Sequence, residues 1–244
     1  MGRKRADLLL VERGLFDSRA KARAAIEAGR VLVGGEPVAR PSDLLDELSE
    51  ILAEPAHPWV GRGALKLVHA LDLWPIRVEG RQVLDVGAST GGFTEVCLSR
   101  GARRVCAVDV GRGQLHPKVA ADPRVLNLEA TDARNLDQDQ VGFAPDLIVC
   151  DVSFIGLAKA LPRALALAVP AADLVVLVKP QFEVGPAHVG KGGVVRDEAA
   201  RTLAVDEAQA FLVVAGWVVN GVAASPITGG DGNLEFLVWA TKTA

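Results

Sequence analysis

The chain has 244 residues, of which 50% are hydrophobic and 23% are charged. This length allows one large domain, or an ordinary domain with a small companion, and the apolar content provides a substantial core. The formal net charge of −3 excludes a protein that coats nucleic acid over its whole surface. Residues 1–40 nevertheless carry nine Lys and Arg against five Asp and Glu, whereas residues 41–55 carry five acids and no base. This asymmetry predicts a small basic module ahead of an acidic-to-neutral body.

The cysteines and the apolar segments indicate the cellular setting. An odd number of cysteines in apolar runs favours reduced, buried thiols at Cys97, Cys106 and Cys150. No metal-ligand spacing is visible, so no bound metal is predicted. The amino terminus is charged, and Pro170 and Asp173 interrupt the apolar window 165–178. We therefore expect a cytoplasmic monomer with no membrane span.

Short elements with well-marked ends fill the first 50 residues. They are a helix over Asp7–Arg13 closed by Gly14, a helix over Arg19–Ala28 capped by Ser18 and closed by Gly29, and a hairpin of Val31–Val33 and Val38 around Gly34-Gly35. A helical cap with solvated charges is one interpretation. The pattern Ser18-Arg19…Ala22…Ile26…Gly29-Arg30-Val31-x-Val33-x-Gly35 resembles the S4 RNA-binding domain over residues 5–52. The resemblance implies that five basic side chains contact RNA phosphates, which position a substrate without reading its sequence: Arg5, Arg19, Lys21, Arg23 and Arg30.

The segment Pro55–Gly61 contains two prolines and a glycine and is typical of a linker. Within it, Trp59 is predicted to anchor against the second domain by packing rather than to stack on a base. We expect residues 1–55 to form the small α+β module, residues 56–61 the linker and residues 62–244 a larger domain.

A strand, a glycine-rich turn and a helix are predicted in succession from residue 83. The apolar run Val83–Val86 leads into Gly87, Gly91 and Gly92, and the helix Phe93–Arg100 stops at Gly101. This order brings the backbone close to a ligand at a helix amino terminus. A dinucleotide fingerprint needs a glycine where Ser89 stands. The acid Asp85 before the turn would repel a pyrophosphate but not the cationic methionyl end of S-adenosylmethionine.

Two further predicted strands also end in acids. Asp109 lies 109 − 87 = 22 residues after the first glycine, close to the offset of about 20 expected for a ribose-binding carboxylate. Asp132 follows the run Arg124–Glu129 and could meet an adenine amino group. Each acid alone is more often a solvated loop residue or a helix cap. Together they favour an adenosyl cofactor, with eight candidate residues in the glycine turn and at the strand ends: Asp85, Gly87, Ser89, Thr90, Gly91, Gly92, Asp109 and Asp132.

Four charged residues occupy unusual places in the larger domain. Lys66 starts an amphipathic helix, Asp151 follows the strand Leu147–Cys150, Lys179 follows the strand Leu174–Val178, and Glu235 lies in a predicted last strand, Asn233–Trp239. A lysine after five apolar residues is costly unless it is paired with acids. One reading is a structural ion pair at the sheet rim. The other is catalysis, in which desolvation and a second cation lower the pKa of Lys179 so that it serves as a base toward a ribose 2′-hydroxyl.

These motifs resemble the TlyA family over nearly the whole chain. They are Arg62-Gly-Ala-Leu-Lys-Leu, Asp85-Val-Gly-Ala-Ser-Thr-Gly-Gly-Phe-Thr, Asp109-Val-Gly-x-Gly-Gln-Leu, Asp151-Val-Ser-Phe-Ile, Val178-Lys-Pro-Gln-Phe-Glu-Val-Gly and Gly232-Asn-Leu-Glu. The resemblance implies an S4 domain fused to an FtsJ-type methyltransferase domain, an α/β fold with a doubly wound Rossmann-like sheet. It also implies rRNA cytidine 2′-O-methylation, with rRNA or a ribosomal subunit as partner.

Individual residues match the family's pattern. Lys66, Asp151, Lys179 and Glu235 match its catalytic tetrad position by position. Phe154 stands where the family has an aromatic residue lining the pocket for cofactor and target base.

Two features depart from the family pattern. The family linker often reads Arg-x-Trp-Val, whereas this chain has His57-Pro58-Trp59-Val60, which puts linker-mediated coupling in doubt. The sequence ends just after the last predicted strand, without the helical extension of the longer subtype. By resemblance, the short subtype modifies 23S rRNA only, and the longer one also modifies 16S rRNA.

Three other functions compete with this interpretation, and the sequence argues against each. A haemolysin needs membrane-facing amphipathic segments or a secretion signal, and neither is visible. An NAD-dependent oxidoreductase needs the missing second glycine. A catalytically silent RNA-binding protein conflicts with four ionisable residues at candidate strand ends.

Overall fold

The computed structural model describes residues 2–243, which pack as two compact units, one ending at Pro58 and one beginning at Trp59. The elements of the first unit are β1 Arg3–Arg5, α1 Ala6–Glu12, α2 Arg19–Glu27, β2 Val31–Val33, β3 Glu36–Pro37, β4 Leu44–Asp46 and β5 Ile51–Ala53. β1 pairs with β4, and β2 lies between β3 and β5, all antiparallel. The predicted hairpin is therefore confirmed.

The first unit closes around a small apolar core. Leu10, Phe16, Ile26 and Val31 are buried together between the two helices and the strands. Ser18 Oγ accepts a hydrogen bond from Lys21 N at 3.3 Å, as expected for the amino-terminal cap of α2. The two helices begin and end within one residue of the predicted bounds.

The second unit alternates helices and strands in chain order. Its elements are α3 Ala64–Leu73, β6 Gln82–Val86, α4 Gly92–Ser99, β7 Arg104–Val108, α5 Pro117–Ala120, β8 Val125–Leu128, α6 Gln138–Val141, β9 Leu147–Cys150, α7 Leu157–Ala160, α8 Pro162–Leu167, β10 Asp173–Val178, α9 Pro180–Glu183, α10 Glu198–Val214, β11 Trp217–Ala224 and β12 Phe236–Lys242. Three short 3₁₀ turns also occur, at Ala133–Asn135, Pro186–His188 and Lys191–Gly193.

One seven-stranded sheet in the order β11-β12-β10-β9-β6-β7-β8 forms the centre of this unit. The last strand, β12, runs antiparallel to both of its neighbours, while the pairs from β10 to β8 are parallel. The predicted doubly wound α/β sheet with an antiparallel last strand is therefore confirmed. Strand order reverses between β6 and β9, so a crevice opens beyond their carboxyl ends, where open α/β sheets bind ligands.

The central strands β6, β7, β9 and β10 are buried on both faces, because apolar residues alternate between two clusters. Leu84, Ile148 and Val176 pack into one cluster, and Val83 and Val149 pack into the other. Trp59 packs against this second cluster. Continuous apolar runs are the pattern expected when helices cover both faces of a parallel sheet.

The three cysteines lie inside this core and are free. Burial raises the pKa of Cys106 and Cys150 to about 12, and it raises the pKa of Cys97 well above its usual value. Reduced, buried thiols were predicted, and the structure places all three there.

The last strand starts later than predicted. β12 begins at Phe236, so Glu235 immediately precedes the strand instead of lying within it. The reason is Asn233, whose side chain accepts from Val195 N and donates to the carbonyl of Gly193, both at 2.9 Å. These bonds hold the chain in a turn before the strand.

Among residues 2–243, no helix combines the length and apolar character needed to cross a membrane. Within the same residues, no three His, Cys, Asp or Glu side chains form a group that could hold a metal ion.

Candidate active site

The four charged residues singled out in the larger domain come together at the carboxyl edge of the sheet. Asp151 follows β9, Lys179 follows β10, and Lys66 lies in the first turn of α3. Lys179 Nζ lies 2.6 Å from Asp151 Oδ1, and Lys66 Nζ lies 3.4 Å from Asp151 Oδ2. Lys66 Nζ also lies 2.7 Å from Glu235 Oε2. The four side chains therefore form one continuous chain of alternating charges.

Little of this chain is open to solvent. The exposed fraction of the side chain is 8% for Lys66, 9% for Lys179, 17% for Asp151 and 3% for Glu235. Removing charges from water is expensive, and pairing two cations with two anions offsets that cost. A sheet of this kind could be stabilised by apolar residues instead, so the network is poorly explained by stability alone.

Ser153 adds a neutral contact that the sequence did not predict. Its Oγ lies 2.7 Å from Lys179 Nζ, and it belongs to the same loop as Asp151. No local signal distinguishes it from other loop serines, because its partner is 26 residues away.

A cavity of about 630 Å³ opens beside this network, beyond the ends of β6, β7 and β9. It is lined by residues of the glycine turn, of the loop after β7 and of the loop after β9, including Gly87, Ser89, Asp109, Asp132, Asp151, Ser153 and Phe154. The volume lies within the range of about 300–1,000 Å³ typical of small-molecule pockets.

Two glycines of the turn are required by its geometry. Gly87 has φ +83°, and a Cβ there would lie 2.9 Å from the carbonyl oxygen of Asp151. Gly91 has φ +92°, caps α4, and leaves no room for a Cβ beside Leu115. Gly92 is the first residue of α4, so the helix starts one residue earlier than predicted. The two glycines thus let the turn pack closely against the loop after β9 and against Leu115, in backbone conformations that other residues rarely adopt. Gly87 lines the cavity, whereas Gly91 and Gly92 do not.

Asp109 shapes the cavity through main-chain contacts. Its Oδ2 accepts from Ser89 N at 2.8 Å, and its Oδ1 accepts from Gly111 N at 2.7 Å. The carboxylate therefore ties the glycine turn to the loop after β7 while lining the cavity. Thr90 is exposed in the same turn.

Asp85 lies deeper than the sequence suggested. It is the fourth residue of β6, fully buried, and its Oδ2 accepts from Thr94 Oγ1 at 2.6 Å. Burial raises its pKa to about 7. Asp85 supports the turn from inside the sheet and does not line the cavity, so its contact with a cofactor stays a prediction.

Asp132 lines the cavity but already has a partner. Its carboxylate forms an ion pair with Arg134, 2.6 Å away at the shortest, which holds its pKa below the usual range. It also caps the 3₁₀ turn that follows by accepting from Arg134 N. A ligand amino group would share this carboxylate with a guanidinium.

Phe154 is 90% exposed at the mouth of the cavity and has φ +65°, which is unusual for a bulky residue. Its ring lies 5.2 Å from that of Phe182, centroid to centroid. An exposed aromatic ring at a cavity mouth is suited to stacking on a flat ligand group.

Two glutamates that the sequence analysis missed hold the surrounding loops. Glu129 accepts from the main-chain N–H groups of Gly113, Gln114 and Leu115 at 2.7–2.9 Å, which holds its pKa below the usual range. Glu95 accepts from Val60 N and pairs with Lys118, each at 2.7 Å. Such side-chain to main-chain contacts over long sequence separations carry no local sequence signal.

In the first unit, a buried acid organises two of the predicted RNA contacts. Asp7 is fully buried, and its carboxylate lies 3.0 Å from Arg5 Nε and 2.8 Å from Arg19 Nη2. The side chains of these arginines stay 43% and 53% exposed. The hydrogen bond from Arg5, together with that from Arg19, lowers the pKa of Asp7 to about 2.

The other three predicted RNA contacts in this unit are also exposed. Lys21 pairs with Asp17 at 2.5 Å, and Arg30 pairs with Glu54 at 3.2 Å. Arg23 is exposed on α2, and no acid among the described residues lies within ion-pair distance of it. All five predicted RNA-contacting side chains thus reach the surface, and their contacts with RNA stay a prediction.

Comparison with known proteins places these features in a family. Residues 59–242 match the FtsJ-like methyltransferases, and residues 4–51 match the S4 domain. The 16S/23S rRNA (cytidine-2′-O)-methyltransferase TlyA of Mycobacterium tuberculosis is 47% identical over 97% of this chain and 89% of its own length.

Other relatives are more distant. The 23S rRNA (cytidine-2′-O)-methyltransferase TlyA of Campylobacter jejuni is 35% identical over 81% of this chain and 74% of its own. A solved structure from Streptococcus thermophilus, named as a hemolysin, is 39% identical, with a TM-score of 0.78 over 100% of this chain and 90% of that chain. The family resemblance predicted from the motifs is confirmed. The chain belongs to the FtsJ-like methyltransferases and, within them, to the TlyA family.

Proposed function

We propose that this protein transfers a methyl group from S-adenosylmethionine to the ribose 2′-hydroxyl of a cytidine in ribosomal RNA. The observation that carries the proposal is the buried network of Lys66, Asp151, Lys179 and Glu235 beside the cavity. The names of the two TlyA relatives support the substrate, and both include 23S rRNA. We take 23S rRNA as the main substrate and 16S rRNA as a second one to be tested.

The cavity fits the cofactor in size and in chemistry. Gly87 and Ser89 bring the main chain of the turn before α4 to the cavity wall, with Gly91 shaping the turn behind them, and Asp109 offers a carboxylate to ribose hydroxyls. Gly87, Ser89, Asp109 and Asp132 would hold it, with Thr90 and Gly92 completing the turn and Phe154 at the mouth. When bound, the cofactor supplies an electrophilic methyl group, whose bond to sulfur breaks as the bond to the ribose oxygen forms.

The charged network then handles the proton of the 2′-hydroxyl. In its neutral form Lys179 would accept that proton, and the carboxylate 2.6 Å away on Asp151 would orient its Nζ and stabilise the ammonium that forms. Lys66 binds the other oxygen of Asp151 and is itself held by Glu235. General-base help of this kind contributes roughly 10²–10⁴-fold, and alignment of the reacting atoms adds to it. Burial of the four side chains limits the water that competes for the same proton.

The first unit supplies the affinity for RNA in this proposal. Its exposed arginines and lysines neutralise phosphates, which anchors a substrate without reading its sequence. We assign residues 1–55 to the S4 domain, 56–61 to the linker and 62–244 to the methyltransferase domain, in a cytoplasmic monomer.

Transfer of a tritiated methyl group tests the proposal directly. Purified protein is incubated with labelled S-adenosylmethionine and, in parallel, with naked 23S rRNA, naked 16S rRNA and each ribosomal subunit. Label on 23S rRNA, mapped by primer extension to a cytidine with a methylated 2′-oxygen, is the expected result. Calorimetry on the same preparation should show cofactor binding that Asp109→Ala weakens.

Two results would contradict the proposed function. Folded protein that binds S-adenosylmethionine but labels none of the four RNA samples would contradict the substrate. Label that appears on a base rather than on a ribose would contradict the proposed chemistry.

A further inference from the structure

Lys179 has a second fixed partner besides Asp151. Asp151 Oδ1 is an ion-pair partner 2.6 Å from Lys179 Nζ, and Ser153 Oγ accepts a hydrogen bond from the same Nζ at 2.7 Å.

The bond to Ser153 fixes the rotation of the Lys179 amine. One N–H of Nζ points at Ser153 Oγ in the ammonium form and in the neutral form alike. Because the three positions on a tetrahedral nitrogen rotate together, this N–H sets the rotation about the Cε–Nζ bond. In the neutral form the negative charge of Asp151 attracts the second N–H, so the lone pair takes the position that faces neither partner.

The loop that carries Ser153 is held against the Lys179 segment by a second contact. Phe154, the next residue, has φ +65°, and its ring packs on that of Phe182. Phe182 stands three residues after Lys179, in α9. A bulky residue adopts this backbone conformation only where its surroundings hold it. The hydroxyl and the ring therefore clamp the loop after β9 onto the segment after β10 at two points.

Both partners of Lys179 also lie beside the reaction, because Asp151 and Ser153 line the cavity that would hold the methyl donor. We propose that Ser153 is a positioning residue, whose hydrogen bond, together with the charge of Asp151, orients Lys179 Nζ toward the 2′-hydroxyl. This inference rests on the proposed function, because it assigns Ser153 a task only if Lys179 handles the proton. Ser153 would then be a fifth, neutral residue that acts together with the four charged ones.

The test compares Ser153→Ala with Ser153→Thr, which keeps a hydroxyl. Ser99→Ala is the matched control, because Ser99 Oγ donates to a helix carbonyl 2.7 Å away and does not line the cavity. Ser153→Ala should lower kcat by about tenfold, as expected for loss of one hydrogen bond to a charged group. The affinity for S-adenosylmethionine, the KM for RNA and Tm should stay at wild-type values. Ser153→Thr should recover most of kcat, and Ser99→Ala should lose none.

A second readout does not depend on activity. In protein with ¹⁵N-labelled lysine and no ligand, the side-chain Nζ resonance of Lys179 is assigned from its absence in Lys179→Arg. It should move in Ser153→Ala and return toward its original position in Ser153→Thr. If Ser153→Ala does not fold, Ser153→Cys takes its place, since a thiol has similar shape and accepts weakly.

The outcomes separate this inference from the function on which it rests. If Lys179→Ala methylates at the wild-type rate, the role of Lys179 is wrong. If Lys179→Ala is inactive while Ser153→Ala keeps the wild-type kcat and Nζ resonance, the role of Ser153 is overturned and that of Lys179 stands. An equal fall in Tm for the Ala and Thr variants, with kcat unchanged, would also overturn it.

Discussion

Each unit contains an aspartate that bridges two cationic side chains, but burial is distributed in opposite ways. In the first unit the acid, Asp7, is fully buried, while Arg5 and Arg19 extend into solvent. In the second unit both cations, Lys66 and Lys179, are buried around the partly exposed Asp151. The same charge arrangement therefore presents cations outward in one unit and encloses them in the other.

The choice of cation agrees with this difference. A guanidinium stays protonated and offers a planar set of donors, which suits contact with phosphates at a surface. A lysine amine can gain and lose a proton, which suits chemistry in an enclosed site. This difference agrees with the proposed roles, in which the first network serves binding and the second serves reaction.

The largest expected effect is at Lys179. Lys179→Ala should lower the single-turnover rate at saturating RNA and cofactor by at least about a hundredfold, because the proton acceptor is lost. Lys179→Arg should fail as well, since guanidinium cannot accept the proton. Asp151→Asn should be comparably damaging. A merely structural ion pair would give the reverse pattern, a lower Tm with surviving methylation by the folded fraction.

A smaller effect is expected when the exposed arginines are reversed. The double variant Arg19→Glu, Arg23→Glu should bind rRNA more weakly, and the slope of log affinity against log salt should shrink by about two. Filter binding over a range of salt concentrations measures both. Cofactor binding by calorimetry is the control and should not change. RNA affinity equal to that of the wild type would move the RNA-binding surface away from α2.

A substitution at Asp7 distinguishes two explanations, because they predict opposite changes in RNA affinity. Asp7→Asn adds one unit of positive charge, so long-range electrostatics alone would tighten RNA binding. If Asp7 orients Arg5 and Arg19, affinity should instead fall, by about three- to tenfold for weakened charge-assisted hydrogen bonds. Glu54→Gln is the matched control, because it frees Arg30 from an exposed acid. Tighter RNA binding by Asp7→Asn would show that Arg5 and Arg19 do not need Asp7 to orient them.

The smallest effect is expected at Asp85, a buried acid whose carboxylate is hydrogen-bonded to Thr94 and not to a cationic side chain. The pKa of Asp85 is raised from 3.8 to about 7. Between about pH 4 and pH 7 the folded state therefore holds a proton that the unfolded state has lost, and stability falls as pH rises through this window. Asp85→Asn should remove this dependence, so its Tm relative to wild type should rise steadily from pH 4 to pH 8.

Asp7 should give the opposite pH dependence of stability in the same thermal melts. Its pKa is lowered to about 2, so its stabilisation is present above about pH 4 and is lost as pH falls toward 2. Thermal melts of wild type, Asp85→Asn and Asp7→Asn across pH separate the two acids. A parallel pH dependence for wild type and Asp85→Asn would mean that Asp85 does not titrate as described.

The sequence predicted those parts of the site that depend on strand ends. Asp151 and Lys179 each follow an apolar run, and parallel neighbouring strands deliver such residues to one edge. The sequence did not predict contacts between distant segments, such as Ser153 with Lys179 or Asp7 with Arg19. Nor did it predict that Asp132 pairs with Arg134, or that Asp85 points into the sheet. Packing decides the direction of a side chain within a strand and the pairing of side chains across loops. Neither produces a periodic pattern in the sequence.

The burial of the thiols in the second unit makes it practical to label cysteines introduced elsewhere. With a pKa of about 12, Cys106 and Cys150 have thiolate fractions of roughly 10⁻⁵ at neutral pH, and Cys97 is equally enclosed. Maleimide dyes should therefore leave the wild-type chain unlabelled. Exposed cysteines introduced by Ala28→Cys and Ala210→Cys would then be the reactive positions, one in each unit. Energy transfer between two dyes at these sites would report how the spacing of the units responds when rRNA is added.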